Sequence, residues 1–276
     1  MAPSRFKSPW MQGVYKNIGV ALTFSPRLSA VLAEADRVAR SFGGPLSVIH
    51  ASAESEEAAS RFREAFERLR AGSDFPVHWS VADTPIEAIL GACAKEGMDL
   101  LIAGALEREA EHRYFLGGVA RELLRRAPCD LLLFPKPEEA QRRWRRIVVE
   151  VDLKRPSVSF LNRVCLLATR LGVEEIVFIG VVTPFDEAIA RNSEQRFDEA
   201  ALAAIVDQAE GFEREVECRL LHSTTGFAVC DFVQNSGADL FVAGTARSGG
   251  VRSLPSHMDW LLQVIPTNVL LLGIEP

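Results

Sequence analysis

The residues best suited to bind a phosphate lie in one Gly- and Ser-rich segment near the carboxyl end of the chain. Residues 244–256 read GTARSGGVRSLPS and follow a short apolar stretch typical of a buried strand. Glycines let a backbone approach phosphate oxygens closely, and successive N–H groups form an anion-binding concavity. The HMDWLLQV stretch that follows predicts a helix, whose N-terminus offers more free donors. An ordinary surface loop is the competing interpretation.

The chain that positions this segment repeats itself over a long period. EGMDLLIAGA at 96–105 matches SGADLFVAGT at 236–245, which is 140 residues further along. NIGVALTFS at 17–25 matches RIVVEVDLK at 146–154, at a shorter offset of 129 residues. A repeat of this length indicates a duplicated domain rather than a solenoid. We therefore expect four segments: an N-terminal tail at 1–14, a first domain at 15–136, a linker at 137–146 and a second domain at 147–276.

Within each copy, apolar strands alternate with amphipathic helices. In the first copy, Ser25 followed by Pro26 predicts a helix start, and the Thr84-Pro-Ile-Glu box predicts another. In the second copy, inserted residues lengthen an acidic helical stretch at 185–213. The alternation predicts an α/β fold of two tandem, doubly wound, five-stranded parallel-sheet domains. Ligands of such sheets bind beyond the carboxyl ends of the strands.

Composition narrows the class of protein. The 276 residues carry 31 Lys and Arg against 37 Asp and Glu, a net charge of −6, which argues against a general nucleic-acid binder. The five cysteines form no CxxC pair, so neither a disulfide framework nor a cysteine zinc site is expected. No apolar run approaches the roughly 20 residues that cross a bilayer. Residues 1–13 lack the apolar core of a signal peptide, so we expect a cytoplasmic protein.

Three other clusters favour structural interpretations. The arginines around Trp144 in RRWRR could form a small phosphate patch, but we expect a solvated linker with Trp144 packed against a domain. Ser256, His257 and Asp259 are the residue types of a hydrolase triad, yet they sit within one helical turn and point in different directions. The histidines show no metal-ligand spacing. We therefore expect no catalytic and no metal-binding residues.

These features resemble the universal stress protein family, as a tandem pair of domains covering nearly the whole chain. The stretch VARELLRRAPCDLLLFP at 119–135 is the most specific match. The resemblance implies the adenine nucleotide alpha hydrolase-like fold, with five parallel strands per domain. In many members it also implies ATP bound by a Gly-x2-Gly-x9-Gly-Ser/Thr loop after strand four. An Asp after strand one and a hydrophobic residue after strand two would contact the adenosine part.

The second copy keeps part of that motif. The resemblance places Asp152 after strand one and Gly244 at the first glycine, whereas the loop is two residues short and Pro255 replaces a glycine and its backbone donor. Asp152 could instead cap the next turn, a common role for such a residue. The implied cofactor-binding residues are Asp152, Val181, Ala243, Gly244, Arg247, Gly249, Gly250 and Ser256. They would take ATP or another adenine nucleotide, which Mg2+ could accompany.

The first copy departs further from the motif. Gly104 and Gly117 match the first and third glycines of the motif. Glu107 stands in place of the second glycine, and Thr23 stands where the Asp would be. A carboxylate facing the site would repel a triphosphate, so we expect the first copy not to bind ATP.

The expected function is a stress-response or signalling role, with one adenine nucleotide (ATP, ADP or AMP) in the second domain, and not an enzymatic one. The alternatives are a nucleotide-free interaction scaffold and a slow ATPase or self-phosphorylating protein that uses Ser248, Ser253 or Ser256. We expect the two domains to pair through their last strands. A homodimer of chains and unknown protein partners are also open, without membrane or nucleic-acid binding.

Overall fold

The computed structural model describes residues 14–105, 117–140, 142–191, 196–223, 226–248, 251–254, 258, 262 and 267–274. These residues form one sheet of eleven strands with helices on both faces. The strands are β1 Ile18–Ala21, β2 Leu46–His50, β3 Val77–Trp79, β4 Leu100–Gly104, β5 Asp130–Phe134, β6 Arg146–Val151, β7 Glu175–Val182, β8 Glu215–His222, β9 Leu240–Ser248, β10 Val251–Ser253 and β11 Asn268–Gly273. The helices are α1 Leu28–Phe42, α2 Glu56–Leu69, α3 Pro85–Lys95, α4 Gly118–Arg126, α5 Val158–Leu171, α6 Pro184–Arg191, α7 Glu199–Val206 and α8 Phe227–Asn235.

Local sequence signals set several of these helix ends. The hydroxyl of Thr84 accepts the amide of Glu87 at 3.3 Å, which caps α3 as the box predicts. Helix α1 ends at Gly43, whose φ of 74° lies in the left-handed region that glycine adopts without strain. The start of α1 was predicted wrongly: the helix begins at Leu28, and the Ser25 hydroxyl accepts only the nearby amide of Arg27.

The strands follow the order β3-β2-β1-β4-β5-β11-β9-β6-β7-β8, and β10 pairs with β9 outside this path. We call β1 to β5 with α1 to α4 the first half, and β6 to β11 with α5 to α8 the second half. Every pairing is parallel except β5 with β11 and β9 with β10. The predicted α/β class with a mostly parallel sheet is confirmed.

The two halves of the sheet share the antiparallel pair β5 and β11. Leu132 lies opposite Leu270, with Leu131 opposite Leu271 and Leu133 opposite Val269. Two apolar clusters cover the two faces of the sheet, and each contains side chains from both halves. Alternate leucines of β5 enter opposite clusters, as the twofold periodicity of a strand requires. The core therefore runs without interruption across the junction.

The connection between the halves is held by aromatic and charged contacts. Trp144 is only 3% exposed, its ring centre lies 6.1 Å from that of Phe134, and the Arg37 guanidinium lies 4.3 Å from its centroid. The flanking Arg142, Arg145 and Arg146 form ion pairs with the nearby glutamates Glu138, Glu174 and Glu175. This region is thus an ion-paired linker with a buried tryptophan, as the sequence favoured.

The acidic helical stretch predicted at 185–213 contains more than one helix. It forms two short helices, α6 and α7, followed by a segment that leads to β8. Asp198 caps α7 by accepting the amide of Ala201 at 2.7 Å. An Asp-capped start interrupts the stretch, because such a residue favours a new helix end over helix continuation.

Candidate functional site

The carboxyl ends of the parallel strands in the first half open onto a cavity of about 390 Å3. It lies where the strand order reverses, between β1 and β4, since β1 continues to β2 on one side and β4 to β5 on the other. Crevices at such reversals are the general ligand site of doubly wound sheets. The volume falls in the range of small-molecule pockets, about 300–1,000 Å3.

The walls of the cavity are mostly apolar. Leu22 and Ala51 come from the ends of β1 and β2, and Leu28 and Ile89 from α1 and α3. Hydroxyl groups are supplied by Thr23 and Ser25, among other lining residues. An apolar lining with a few convergent polar groups is typical of a site that takes a flat, partly hydrophobic ligand.

One wall of the cavity is the N-terminus of α4. Gly117 is the N-cap residue, and no described side chain makes a capping hydrogen bond there. The first N–H groups of a helix have no partner within the helix, and the helix dipole adds a partial positive charge. Gly117, Gly118 and Val119 line the cavity at this point. The arrangement can accept an anion at one end of the cavity.

Gly104, which ends β4, requires a residue without a side chain. A Cβ there would lie 2.8 Å from Cγ2 of Val31 on α1, closer than real contacts allow. Val31 itself also lines the cavity, so the strand end packs closely against α1 at the cavity wall. The sequence matched this glycine to the first position of the phosphate motif, and it does border the cavity.

His50 also borders the cavity, and its ring is held in a fixed orientation. Its Nδ1 lies 2.8 Å from the carbonyl oxygen of Leu22, which can only accept, so Nδ1 carries the proton. The ring centres of Phe24, Phe62 and Trp79 lie 4.8 to 5.5 Å away. These contacts are those of a structural histidine packed in an aromatic cluster, although its ring also borders the cavity.

In the second half, four of the predicted site residues lie together at the carboxyl ends of neighbouring strands. Asp152 and Val181 lie at the ends of the paired strands β6 and β7, and Ala243 pairs with Glu150 of β6. Gly244 follows on β9. Arg247 also lies on β9, while Gly249, Gly250 and Ser256 lie outside the described residues, as do Glu107, His257 and Asp259.

The segment after Gly244 continues as a strand rather than as an open loop. β9 extends to Ser248, and β10 returns antiparallel to it, with Arg252 opposite Arg247. Backbone groups between Ala246 and Ser253 therefore pair with one another. The sequence carried a signal for this hairpin, since Gly-Gly between short polar strands is a two-residue turn pattern.

Asp152 has the second of its two anticipated roles. Its carboxylate accepts the amides of Lys154 and Arg155 at 2.9 and 3.3 Å, an Asx turn at the strand end. Lys154 in turn reaches Asp186 at the start of α6, with 2.6 Å between Nζ and Oδ1. Burial raises the pKa of Asp186, but hydrogen bonds from Lys154 and Thr183 outweigh it and hold that pKa below its usual value.

Gly244 is covered by the end of the chain. A Cβ at this position would lie 2.1 Å from Cδ1 of Ile274, and the Ile274 amide donates to the Thr245 carbonyl at 2.9 Å. In the first half, the matching glycine faces α1 instead. The same motif glycine thus meets different neighbours in the two halves.

A second cavity, also of about 390 Å3, lies at the opposite edge of the second half. It is lined by charged residues, and its Arg145 and Arg146 already pair with Glu174 and Glu175. Within the described ranges, no group of three or more His, Cys, Asp or Glu side chains is arranged to hold a metal ion. Nor does any helix among them have the length and apolarity to span a bilayer.

The fold and the first cavity together define a doubly wound α/β protein with a small-molecule crevice at its strand reversal. Comparison with known protein families finds one family model that resembles part of this chain. Residues 14–135 match the model of the universal stress protein family. No curated protein matches the sequence.

Solved structures resemble the chain over nearly its full length. A functionally unknown protein from Pseudomonas aeruginosa PAO1 is 17% identical with a TM-score of 0.70, covering 94% of this chain and 92% of that one. A universal stress protein from Archaeoglobus fulgidus DSM 4304 is 15% identical with a TM-score of 0.64, covering 94% and 98%. At these identities the likeness is one of fold.

Proposed function

We propose that this chain is a cytoplasmic stress-response or signalling protein of the universal stress type, and that it binds one adenine nucleotide in the first half. The family match of residues 14–135 supports the class. The observation that carries the ligand proposal is the uncapped N-terminus of α4, which opens on an apolar cavity at the strand reversal. An adenine ring suits the apolar walls, and a phosphate suits the free N–H groups.

The number of phosphates follows from charge. The segment between Gly104 and Gly117 contains Glu107, Glu109 and Glu111, all within a few residues of the cavity in sequence. Carboxylates near a phosphate site repel each added negative charge. We therefore favour AMP over ADP or ATP, and we assign no step to Mg2+.

The other placement of the nucleotide is the second half, on Asp152, Val181 and Gly244. Its support is the sequence motif. The geometry favours it less, because the Asp152 carboxylate is already bonded to two amides and Ile274 covers Gly244. The hairpin of β9 and β10 also pairs backbone groups that would otherwise be free for phosphate. This pairing favours a nucleotide-free second half, the scaffold role anticipated as an alternative for the whole chain.

A charge placed at the helix N-terminus tests the first-half site. A Cβ at Gly118 meets no atom within 4 Å, so Gly118→Glu fits and its carboxylate even favours the start of α4. The same carboxylate repels a phosphate. We expect calorimetric titration to give one AMP per chain for the native protein. For Gly118→Glu we expect affinity at least about tenfold weaker, or about 1.4 kcal/mol.

Two matched variants separate the possible outcomes. Gly118→Ala removes the same glycine without adding charge, so its AMP affinity should stay within about threefold of native, or about 0.7 kcal/mol. Asp152→Ala should leave AMP binding unchanged. Loss of binding in Asp152→Ala but not in Gly118→Glu would move the site to the second half. A native chain that neither binds nor is thermally stabilised by AMP, ADP or ATP would leave the scaffold role.

A further inference from the structure

The sheet ends at β8 with a long strand whose outer edge is open. β8 runs in register with β7 over eight residue pairs, from Glu175 with Glu215 to Val182 with His222. No other described strand pairs with it, and it is the last strand of the sheet. The strand at the opposite end, β3, has only three residues. A long edge strand offers a row of backbone donors and acceptors to another strand.

The hydrogen bonds of β8 identify which residues face outward. The amide of Leu220 reaches the Glu199 carboxylate of α7 at 3.4 Å, so it points away from β7. Because backbone direction alternates along a strand, the groups of Val216 and Cys218 point outward as well. Glu199 makes one weak, exposed contact, which a pairing strand could replace.

The side chains of β8 are complementary to themselves. Glu217 and Arg219 lie on the same face, form an ion pair with each other, and are 34% and 51% exposed. If two copies pair antiparallel with Cys218 opposite Cys218, each Glu217 lies opposite the Arg219 of the other copy. Val216, which is 41% exposed, then lies opposite Leu220. Val216, Cys218 and Leu220, whose backbone groups point outward, then form the hydrogen-bonded pairs. The register therefore also gives their N–H and C=O groups partners.

We propose that β8 is a self-association surface, and that its partner is the β8 strand of a second copy of this chain. The pairing is antiparallel, is centred on Cys218, and joins two sheets edge to edge about a twofold axis. Two Glu217–Arg219 pairs and two Val216–Leu220 pairs then connect the two β8 strands. Opposite charges directly across an antiparallel pair stabilise it, and like charges destabilise it. The proposal does not depend on the nucleotide site.

Charge reversal in trans tests this arrangement without relying on loss of binding alone. In Arg219→Glu, both cross-strand pairs become repulsive, and the same holds for Glu217→Arg. We expect the native chain to be a dimer in analytical ultracentrifugation and each variant to dissociate at least about tenfold more readily. Mixing the two variants restores attraction at both pairs, so a heterodimer of near-native affinity should form. Arg63→Glu, a reversal on the exposed face of α2, should dimerise like the native chain.

Cross-linking through Cys218 tests which residues of the two β8 strands lie opposite each other. Cys218 is the cysteine of the five that is not buried, so a short bismaleimide should join two copies through it. Burial, and then Asp207, Glu199 and Glu217, raise the pKa of its thiol, so mildly alkaline buffer is needed. Covalent dimers that are absent in Cys218→Ser support the pairing. A monomeric native chain, variants that dimerise like native, or a mixture that stays monomeric would each overturn it.

Discussion

A single carboxylate, Asp130, connects the two halves at the scale of individual residues. It is 5% exposed and accepts the Tyr15 hydroxyl at 2.7 Å and the Gly273 amide at 2.9 Å. The Arg163 guanidinium of α5 donates to the same carboxylate. Burial, and then the Asp130 charge, raise the pKa of Tyr15 well above its ordinary value, so the hydroxyl stays a donor.

Removing this carboxylate should destabilise the whole fold. Asp130→Ala leaves a phenol, an amide and a guanidinium without their shared acceptor, and breaking such buried groups costs about 3 kcal/mol. The matched variant Asp152→Ala removes an exposed carboxylate with two local amide bonds, at about 1 kcal/mol. Urea unfolding of the two variants measures the difference. Equal losses in the free energy of unfolding would mean that Asp130 stabilises the fold no more than the exposed Asp152 does.

The sequence could not reveal Asp130, although it predicted the strand that contains it. The residue is one polar position in the apolar stretch CDLLLFP. Its partners lie 115, 143 and 33 residues away in the chain, so no local pattern connects them. Local signals, by contrast, were enough for the Thr84 cap, because that contact spans three residues.

At the scale of elements, the hairpin of β9 and β10 is the main departure from the sequence interpretation. β10 packs against α4 of the first half. Its Arg252 is 5% exposed, donates to the Thr245 hydroxyl at 2.6 Å, and also donates to the carbonyl of Cys129 across the junction. Arg252, one of the residues of the suggested phosphate loop, thus lies in a contact between the two halves.

Arg252 should therefore act on stability. Arg252→Met keeps much of the side-chain volume but leaves the Cys129 carbonyl and the Thr245 hydroxyl without this donor. We expect a loss of about 2–3 kcal/mol in the free energy of unfolding. Val251→Thr, on the exposed neighbouring position, should stay within about 0.5 kcal/mol of native. Guanidinium denaturation of both variants checks this, and an unaffected Arg252→Met would argue against the contact between the halves.

Helix α4 shows how the ligand cavity escaped the sequence interpretation. The sequence matched Gly104 and Gly117 to the motif, and both border the cavity, but Thr23 and Glu107 argued against an ATP site there. Whether a cavity remains depends on which side chains fill the strand ends, and that is a matter of packing between distant elements. In the second half Ile274 fills the space near Gly244, whereas in the first half α3 and α4 leave it open.

At the scale of the whole molecule, the α/β class was the most predictable feature. Apolar stretches alternating with helical ones fix a parallel sheet with helices on both faces, and the α/β class followed from that pattern. The antiparallel pairing of β5 with β11 makes one sheet of the two halves. The result is a molecule in which one half presents a cavity and the other contributes a hairpin against the helix that borders it.

We expect an adenine nucleotide to bind in the first half, at the N-terminus of α4. Hydrogen–deuterium exchange of the native chain, with and without saturating AMP, tests the location directly. We expect slower exchange in peptides covering residues 117–121, since the ligand binds the first N–H groups of α4, which have no partner within the helix. Peptides covering 151–155 and 240–248 should be unchanged. Protection confined to those second-half peptides, or no protection anywhere, would contradict the claim.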